Sequence, residues 1–410
     1  MNLAKKLFLK SLERLTSGSL DVVSGTGSWQ FGDPSASLRA SIFIHDERFF
    51  RRVVLGGDVA FGESWMDGDW SSPDLVSVVR LAVRNLPVLE NQNRFLNVLA
   101  RGLDRWQHLS RDNSIPGSRK NISAHYDLSN DFFRLFLDPG MMYSCAFYES
   151  ADDSLEKAQF QKLDRICRKL RLGPEDHVLE IGTGWGAFAL HASRHYGCRV
   201  TTTTISREQF HVAKKRFSGS RIKLLLEDYR NLKGRFDKIV SIEMFEAVGL
   251  RRYDEFFGAC GRLLAEEGSM LMQAITMNEQ SFPQYRLKTD FIQKYIFPGS
   301  ELASVNEILK SLKRVTSLRL VHFEEIGAHY AITLAAWRER FEMSLDQVRA
   351  LGFDDRFLRM WDYYLAYCEG AFRERHVGDA QILLTTARNS KPLFNEPRDR
   401  LVSYDAASHA

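Results

Sequence analysis

The chain has 410 residues, of which 44% are hydrophobic and 26% charged, with a net charge of +4. That length exceeds one ordinary hydrophobic core, so two domains are expected, and the composition excludes a disordered protein. The charge is too small to argue for nucleic acid, but it is compatible with docking on an anionic membrane surface.

The five cysteines, Cys145, Cys167, Cys198, Cys260 and Cys368, are odd in number and form no CxxC pair. This argues against a disulfide framework or a structural zinc site and fits a reducing cytoplasm. No run of about 20 apolar residues is present, so no membrane-spanning helix is expected. Near the start, Lys5, Lys6 and Lys10 interrupt MNLAKKLFLKSLERL, which therefore does not read as a signal peptide. Leu3, Leu7, Phe8 and Leu15 fall near one helical face. The expectation is a helix packed on its own domain rather than a membrane-surface anchor.

Residues 18–60 carry strand and turn signals: LDVV, SGTG, SWQF and LRASIFI. Helical periodicity follows over about 73–110. The polar stretch RDNSIPGSRKN (111–121) reads as a linker, which divides the chain into 1–115 and 116–410. From residue 176, strand and helix alternate. Strands are expected at DHVLEI, CRVTTTTI, RIKLLL, FDKIVSI, SMLMQAIT and DAQILLTTAR, and helices at GAFALHASRHY and SREQFHVAKKRF. The fold class is therefore α/β, a doubly wound, Rossmann-like sheet with a smaller N-terminal α+β domain. Ligands of such folds lie outside the carboxyl ends of the strands.

The first of these strands runs into VLEIGTGWGAF (178–188). Gly182, Gly184 and Gly186 permit a tight turn and a close backbone approach to a ligand, and the loop opens a helix. Trp185 is bulky where a pyrophosphate would press. Glu180 would repel a phosphate but suits a cationic ligand. S-adenosylmethionine (SAM), with an ammonium, a sulfonium and no phosphate, is favoured over a dinucleotide. The second strand has no acid at its end. Glu208 and Gln209 sit just beyond it and could take the ribose, although a solvated helix-start charge explains Glu208 equally well. Asp228, after the third strand, is a candidate near the adenine.

After the fourth strand, SIEMFEAVG has neither an NPPY-type loop nor a Pro-Cys pair, which removes two forms of nucleic-acid methylation. Glu246 sits there among Met244, Phe245 and Val248. It is either a paired structural group or a base with a raised pKa. Residues 123–148 are rich in aromatics and hold His125, Asp127, Tyr143, Ser144 and Cys145; a helical cover is the plainer explanation for most of them. An insertion at about 278–302 interleaves Phe282, Tyr285, Phe291, Tyr295 and Phe297 with Arg286, Lys288 and Lys294. That pattern suits a single nucleic acid strand and equally a lipid tail under an anionic headgroup; without nucleic-acid motifs or a strong net charge, lipid is favoured. His191 and His195 are spaced i, i+4 without an HExxH pattern, and are expected on an ordinary surface helix rather than on a metal. Gln273 is one amide in the apolar strand MLMQAIT. An unpaired buried amide costs about 1–3 kcal/mol, so a partner is expected.

Taken together, HYDLSNDFF, DPGMMYSCAF, VLEIGTGWGAF, TTTISREQ, FDKIVSIEMFEAVG, DFIQKYIFPG and HYAITLAAWRERF resemble the cyclopropane-fatty-acyl-phospholipid synthase family, in family order over about residues 120–390. FGESWMDGDW (61–70) resembles the extra N-terminal domain of the long members that act on phospholipid. The resemblance implies a SAM-dependent transferase that adds a one-carbon unit to the cis double bond of an unsaturated phospholipid acyl chain, giving a cyclopropane. Methyl or methylene branching is the alternative outcome, and a SAM- or lipid-binding homologue without turnover is a further one. The resemblance also implies a homodimer in peripheral contact with the inner membrane surface. For SAM it points to Tyr143, Ser144, Gly182, Gly184, Thr204 and Gln209, with Trp185 as a wall. It implies a bound bicarbonate as base, held by Cys145, Glu246, Ile275, Tyr330 and a family His whose place is taken here by Gln273. An amide can still donate to an anion but cannot carry charge or relay a proton.

Overall fold

A computed structural model describes residues 3–90 and 129–390. The linker at 111–121, the end of the helical stretch to 110, and His125 and Asp127 lie outside the described residues. The chain divides into two compact units, one of residues 1–110, 284–298 and 334–377, the other of 111–283, 299–333 and 378–410.

In the first unit, helix α1 (Leu3–Leu12) precedes strands β1 (Ser19–Ser24), β2 (Gly27–Gly32) and β3 (Arg39–Ile44). Helix α2 (Arg48–Met66), strand β4 (Trp70–Ser71) and helix α3 (Leu75–Arg84) follow. The strands form a sheet of order β2-β1-β3-β4. As expected, α1 packs on its own unit: Phe8, Leu9 and Leu12 are buried, and Phe8 meets Phe49 and Phe50 edge-on. Phe291 and Tyr295 of the insertion also pack here. Phe291 lies against Tyr363, while Lys294 and the Tyr295 hydroxyl bind Glu63.

In the second unit, β5 (His177–Ile181), β6 (Arg199–Thr204), β7 (Ile222–Leu226), β8 (Phe236–Ile242), β9 (Leu264–Met277), β10 (Arg319–Glu325) and β11 (Val377–Thr385) form one sheet. Its order is β10-β11-β9-β8-β5-β6-β7, parallel from β7 to β9. The expected strands are present. The addition is β10, an amphipathic strand antiparallel to β11. Helices α4 (Leu155–Leu170), α5 (Ala187–Tyr196), α6 (Arg207–Arg216) and α7 (Tyr253–Leu263) belong to this unit, and α8 (Gly327–Met343) begins in it.

Alternation along the strands sorts the sheet's two faces. Leu179, Ile181, Ile239, Met270, Met272, Ala274, Ala380 and Ile382 join one core with Phe256 and Phe257 of α7. Val178, Val200, Val240, Leu271 and Leu383 join the other core with Leu163, Ile166 and Leu170 of α4 and Phe188 of α5. Glu180, Gln273, Asp379 and Gln381 fall on the second parity, so a polar patch lies within the face that α4 covers. His191 belongs to this layer too. It is buried beside Asp164, which corrects the expectation of a surface position. Among the described residues no group of three or more His, Cys, Asp or Glu could hold a metal.

Candidate active site

The glycine turn follows β5, as its sequence requires. Gly182 has φ 101°, and a Cβ there would stand 3.1 Å from the Cβ of Met244. The turn therefore backs directly onto the segment after β8. Gly186 has φ 94°, and a Cβ would drive into the Phe217 ring at 2.6 Å. Gly184 also has positive φ but faces nothing within 4 Å, which leaves this side of the loop open to a ligand. Trp185 donates its indole N–H to Asn130 at 2.7 Å and packs on Phe133, whose ring also meets Tyr143. Arg216 fastens the loop to the segment at 140 by donating to the carbonyls of Gly140 and Trp185.

Around this turn Glu180, Ser144, Thr204, Gln209 and Asp228 are buried. Glu180 accepts from the Thr202 hydroxyl at 2.6 Å, and burial pushes its carboxyl up to about 8. Ser144 Oγ accepts from the Lys162 ammonium at 2.7 Å, and burial pulls that lysine down to about 8. Thr204 donates to the Gln209 side chain at 2.9 Å. Asp228 forms a two-pronged pair with Arg230 at 2.7 Å. Glu208 is an exposed first-turn charge of α6.

The second cluster gathers at the carboxyl ends of β8 and β9. Glu243, the first residue after β8, has φ 45°, and its N–H donates to the Gln273 carbonyl at 2.8 Å. A non-glycine residue in the left-handed region costs about 1–2 kcal/mol, so this side chain is held where it is against a local penalty. Its Oε1 accepts from the Cys145 N–H at 2.8 Å and the Gln273 amide at 2.7 Å; its Oε2 accepts from the Tyr330 hydroxyl at 2.6 Å. Burial raises the Glu243 carboxyl, while these donors and the Lys162 charge lower it. Glu246 is three residues on. It accepts from the Ile275 N–H at 2.6 Å, its second oxygen is buried with no partner, and burial beside Glu243 pushes it up to about 8. Cys145 keeps its proton, because burial raises the thiol well above its ordinary value, and Sγ donates to the Ala146 carbonyl at 3.2 Å. The first two turns of α8 hold this segment: Thr333 accepts from the Ala146 N–H and His329 from the Tyr148 N–H.

Gln273 is fully buried, and its orientation follows from a lysine. The Lys169 ammonium can only donate, and it meets Gln381 Oε1 at 2.7 Å. The Gln381 amide therefore donates to Gln273 Oε1, at 3.0 Å. That turns the Gln273 NH₂ toward Glu243 at 2.7 Å and Asp379 at 3.1 Å.

The structure thus brings Cys145, Glu246, Gln273, Ile275 and Tyr330 together. Sequence reasoning missed Glu243, Asp379, Gln381, Lys162 and Lys169. The one signal for Glu243 was a second acid three residues before Glu246, at the very end of a predicted strand.

A glycine turn after the first strand of a doubly wound sheet in this order defines a SAM-dependent methyltransferase-type, Rossmann-like fold. Coclaurine N-methyltransferase shares that fold at TM-score 0.61 with 16% identity. The family model for mycolic acid cyclopropane synthetase matches residues 114–382, and the chain belongs to that family. It is 39% identical to tuberculostearic acid methyltransferase UfaA1 of Mycobacterium tuberculosis, over 84% of this chain and 82% of that one. It is 38% identical to cyclopropane-fatty-acyl-phospholipid synthase of Escherichia coli, over 86% and 89%. Among solved structures, mycolic acid cyclopropane synthase CmaA1 complexed with SAH and CTAB matches at 32% identity and TM-score 0.61, covering 65% of this chain and 98% of that one.

Proposed function

We propose that this enzyme transfers a one-carbon unit from SAM to the cis double bond of unsaturated phospholipid acyl chains and closes a cyclopropane. One observation carries the reading: a buried carboxylate, Glu243, held by three donors directly beside an open glycine turn. The relative named cyclopropane-fatty-acyl-phospholipid synthase, matched over more than four-fifths of each chain, supports phospholipid as the substrate class. A bilayer substrate supports peripheral membrane contact, and no described helix is long and apolar enough to cross a membrane. We read the working form as a cytoplasmic homodimer, by resemblance to the long family members.

The residues fit SAM. Gly182 and Gly184 would admit its backbone-hugging part, Trp185 and Tyr143 would wall it, and Thr204, Gln209 and Asp228 would offer polar contacts to the nucleoside. Glu180 and Ser144 complete that lining. Bound SAM supplies an electrophilic methyl on sulfonium. Transfer of that methyl to the alkene would leave a positive charge on the acyl chain. The aromatic wall excludes water from that charge and stabilises it. A proton must then leave. If it leaves the new methyl, its C–H electrons close the ring; if it leaves a chain carbon, a branched olefin forms.

The residues do not fit bicarbonate in the same way. The Cys145 N–H, Tyr330 hydroxyl and Gln273 amide meet a carboxylate of the chain itself, so we assign the proton-accepting role to Glu243. Glu246 orients the Ile275 backbone. Because the resemblance puts a proton-relaying His where this chain has Gln273, a second reading, methyl or methylene branching, is kept, and it is supported by relatives named as methyltransferases. Purified protein with SAM and a cis-unsaturated phospholipid should yield cyclopropane or branched acyl chains by mass spectrometry and NMR. Neither product, under conditions where calorimetry shows SAM binding, would reject both and leave a binding protein.

A further inference from the structure

We propose that Asp379 and Glu243 form a carboxyl pair sharing one proton, in which Asp379 is the positioning residue that holds the proton and donates it to Glu243. Asp379 is fully buried on β11, and its carboxyl lies within hydrogen-bond reach of Glu243. The two are further joined by one nitrogen, Gln273 Nε2, at 2.7 Å and 3.1 Å. Two ionised carboxylates are both acceptors and cannot bond to each other. At that range they would repel strongly in a low-dielectric interior.

The donor count decides which one is charged. Glu243 receives the Cys145 N–H, the Tyr330 hydroxyl and the Gln273 amide. Asp379 receives the Gln273 amide on Oδ2 and otherwise faces the Cys145 thiol, a weak donor, and its Oδ1 is buried with no hydrogen-bond partner. A buried anion needs donors, so Glu243 is the anion and Asp379 the acid. Burial and the Glu243 and Glu246 charges raise Asp379 well above the carboxylate range. The other titratable groups facing the pair are Lys162, Cys145, Tyr330 and Glu325, whose carboxylate accepts from the Asp379 N–H.

The part that concerns turnover rests on Glu243 being the proton acceptor. The proton leaves the new methyl for Glu243, the C–H pair becomes the last ring bond, and the pair then carries two protons and no charge. One proton returns to water after product leaves. The pair's second ionisation would put two adjacent charges in the site, so turnover should fall at alkaline pH.

The test has two arms. Infrared difference spectra of ligand-free wild type minus Asp379→Asn at pH 7 should show a protonated-carboxyl band; a carboxylate band pair would overturn the proposal. If that variant does not fold, Asp379→Glu should shift the protonated band, whereas a shift of carboxylate bands would overturn it. In kinetics, Asp379→Asn keeps a donor for Glu243 and removes the second ionisation. Its kcat at neutral pH should stay within about tenfold of wild type, and the alkaline limb of its pH profile should move, leaving the limb set by Glu246 and Lys162, which burial places at about 8. An equal fall at every pH would mean a merely structural role and overturn the proposal. Glu243→Gln separates the two readings: if it retains turnover, Glu243 is not the acceptor, while the infrared arm still judges the pair.

Discussion

The Tyr330 hydroxyl donates to Glu243 at 2.6 Å, and this bond places a group from the first turn of α8 on a carboxylate at the end of β8. A hydrogen bond to a charged group contributes about 1.5–3 kcal/mol, and it favours the ionised form. Tyr330→Phe should therefore lower kcat about 10–100-fold. The sign for pH follows from the role. The base must be ionised, the hydroxyl holds its pKa down, and its loss raises that pKa. The acid limb of kcat should move to higher pH, read as kcat from pH 5 to 9 at saturating SAM.

The strained backbone at Glu243 gives a second test. Glycine at φ 45° has no Cβ penalty, and its introduction also removes a buried charge. Glu243→Gly should still unfold cooperatively, the relieved strain offsetting only part of the loss of three hydrogen bonds, so Tm should fall modestly while turnover drops at least about 100-fold. It frees the Cys145, Tyr330 and Gln273 donors for a small anion. Added bicarbonate should then restore part of the rate in the variant and leave wild type unchanged. A wild type that loses activity on bicarbonate depletion would show that Glu243 does not fill that role.

Gln273 offers a test of the two outcomes of the reaction. Gln273→His introduces a group that can carry a proton, and the product ratio should move toward cyclopropane, measured by NMR of the released acyl chains. An unchanged ratio would remove Gln273 as the cause of any branching. Stability should drop in this variant, because an imidazole cannot meet Gln381, Glu243 and Asp379 together as the amide does.

These residues also show what could be read in advance. HVLEI and the glycines after it were legible because strand period and positive-φ chemistry are local signals. Glu246 was legible as an acid among apolar residues. Glu243 was not, because its place depends on a left-handed turn that only tertiary packing enforces. Asp379 and Gln381 open DAQILL, and nothing local says that their partner is Gln273, more than 100 residues earlier. Strand β10 was missed for a related reason: RLVHFEE is half-exposed at a sheet edge and mixes charges with its apolar residues.

The glycine turn yields a local prediction. Gly182→Ala meets both φ 101° and the Met244 Cβ at 3.1 Å, so loop and neighbour must both give. A penalty of about 1–2 kcal/mol corresponds to roughly 5–30-fold. That loss should appear in the Kd for SAM by calorimetry, whereas Gly173→Ala, with open space around its Cβ, should leave Kd unchanged.

Lys169 connects stability to the site. Glu324 accepts from Arg165 and Lys169; despite the opposing effect of burial, these two cations hold its carboxyl down at about 2. A depressed carboxylate contributes stability above its unfolded pKa of roughly 4.3 and loses it as pH falls toward 2. Wild type should therefore lose stability between about pH 4.5 and 2 more steeply than Glu324→Gln, seen in the slope of Tm against pH. At pH 7 the variant should be less stable by roughly 1–2 kcal/mol, with the surface-exposed fraction of the pair discounted. The same substitution weakens the anchor that sets Lys169 against Gln381, and through it the direction of the Gln273 amide. A fall in kcat that exceeds what the stability loss explains, with Kd for SAM unchanged, would place this ion pair in control of the base. If kcat does not change, the amide orientation is set without Lys169.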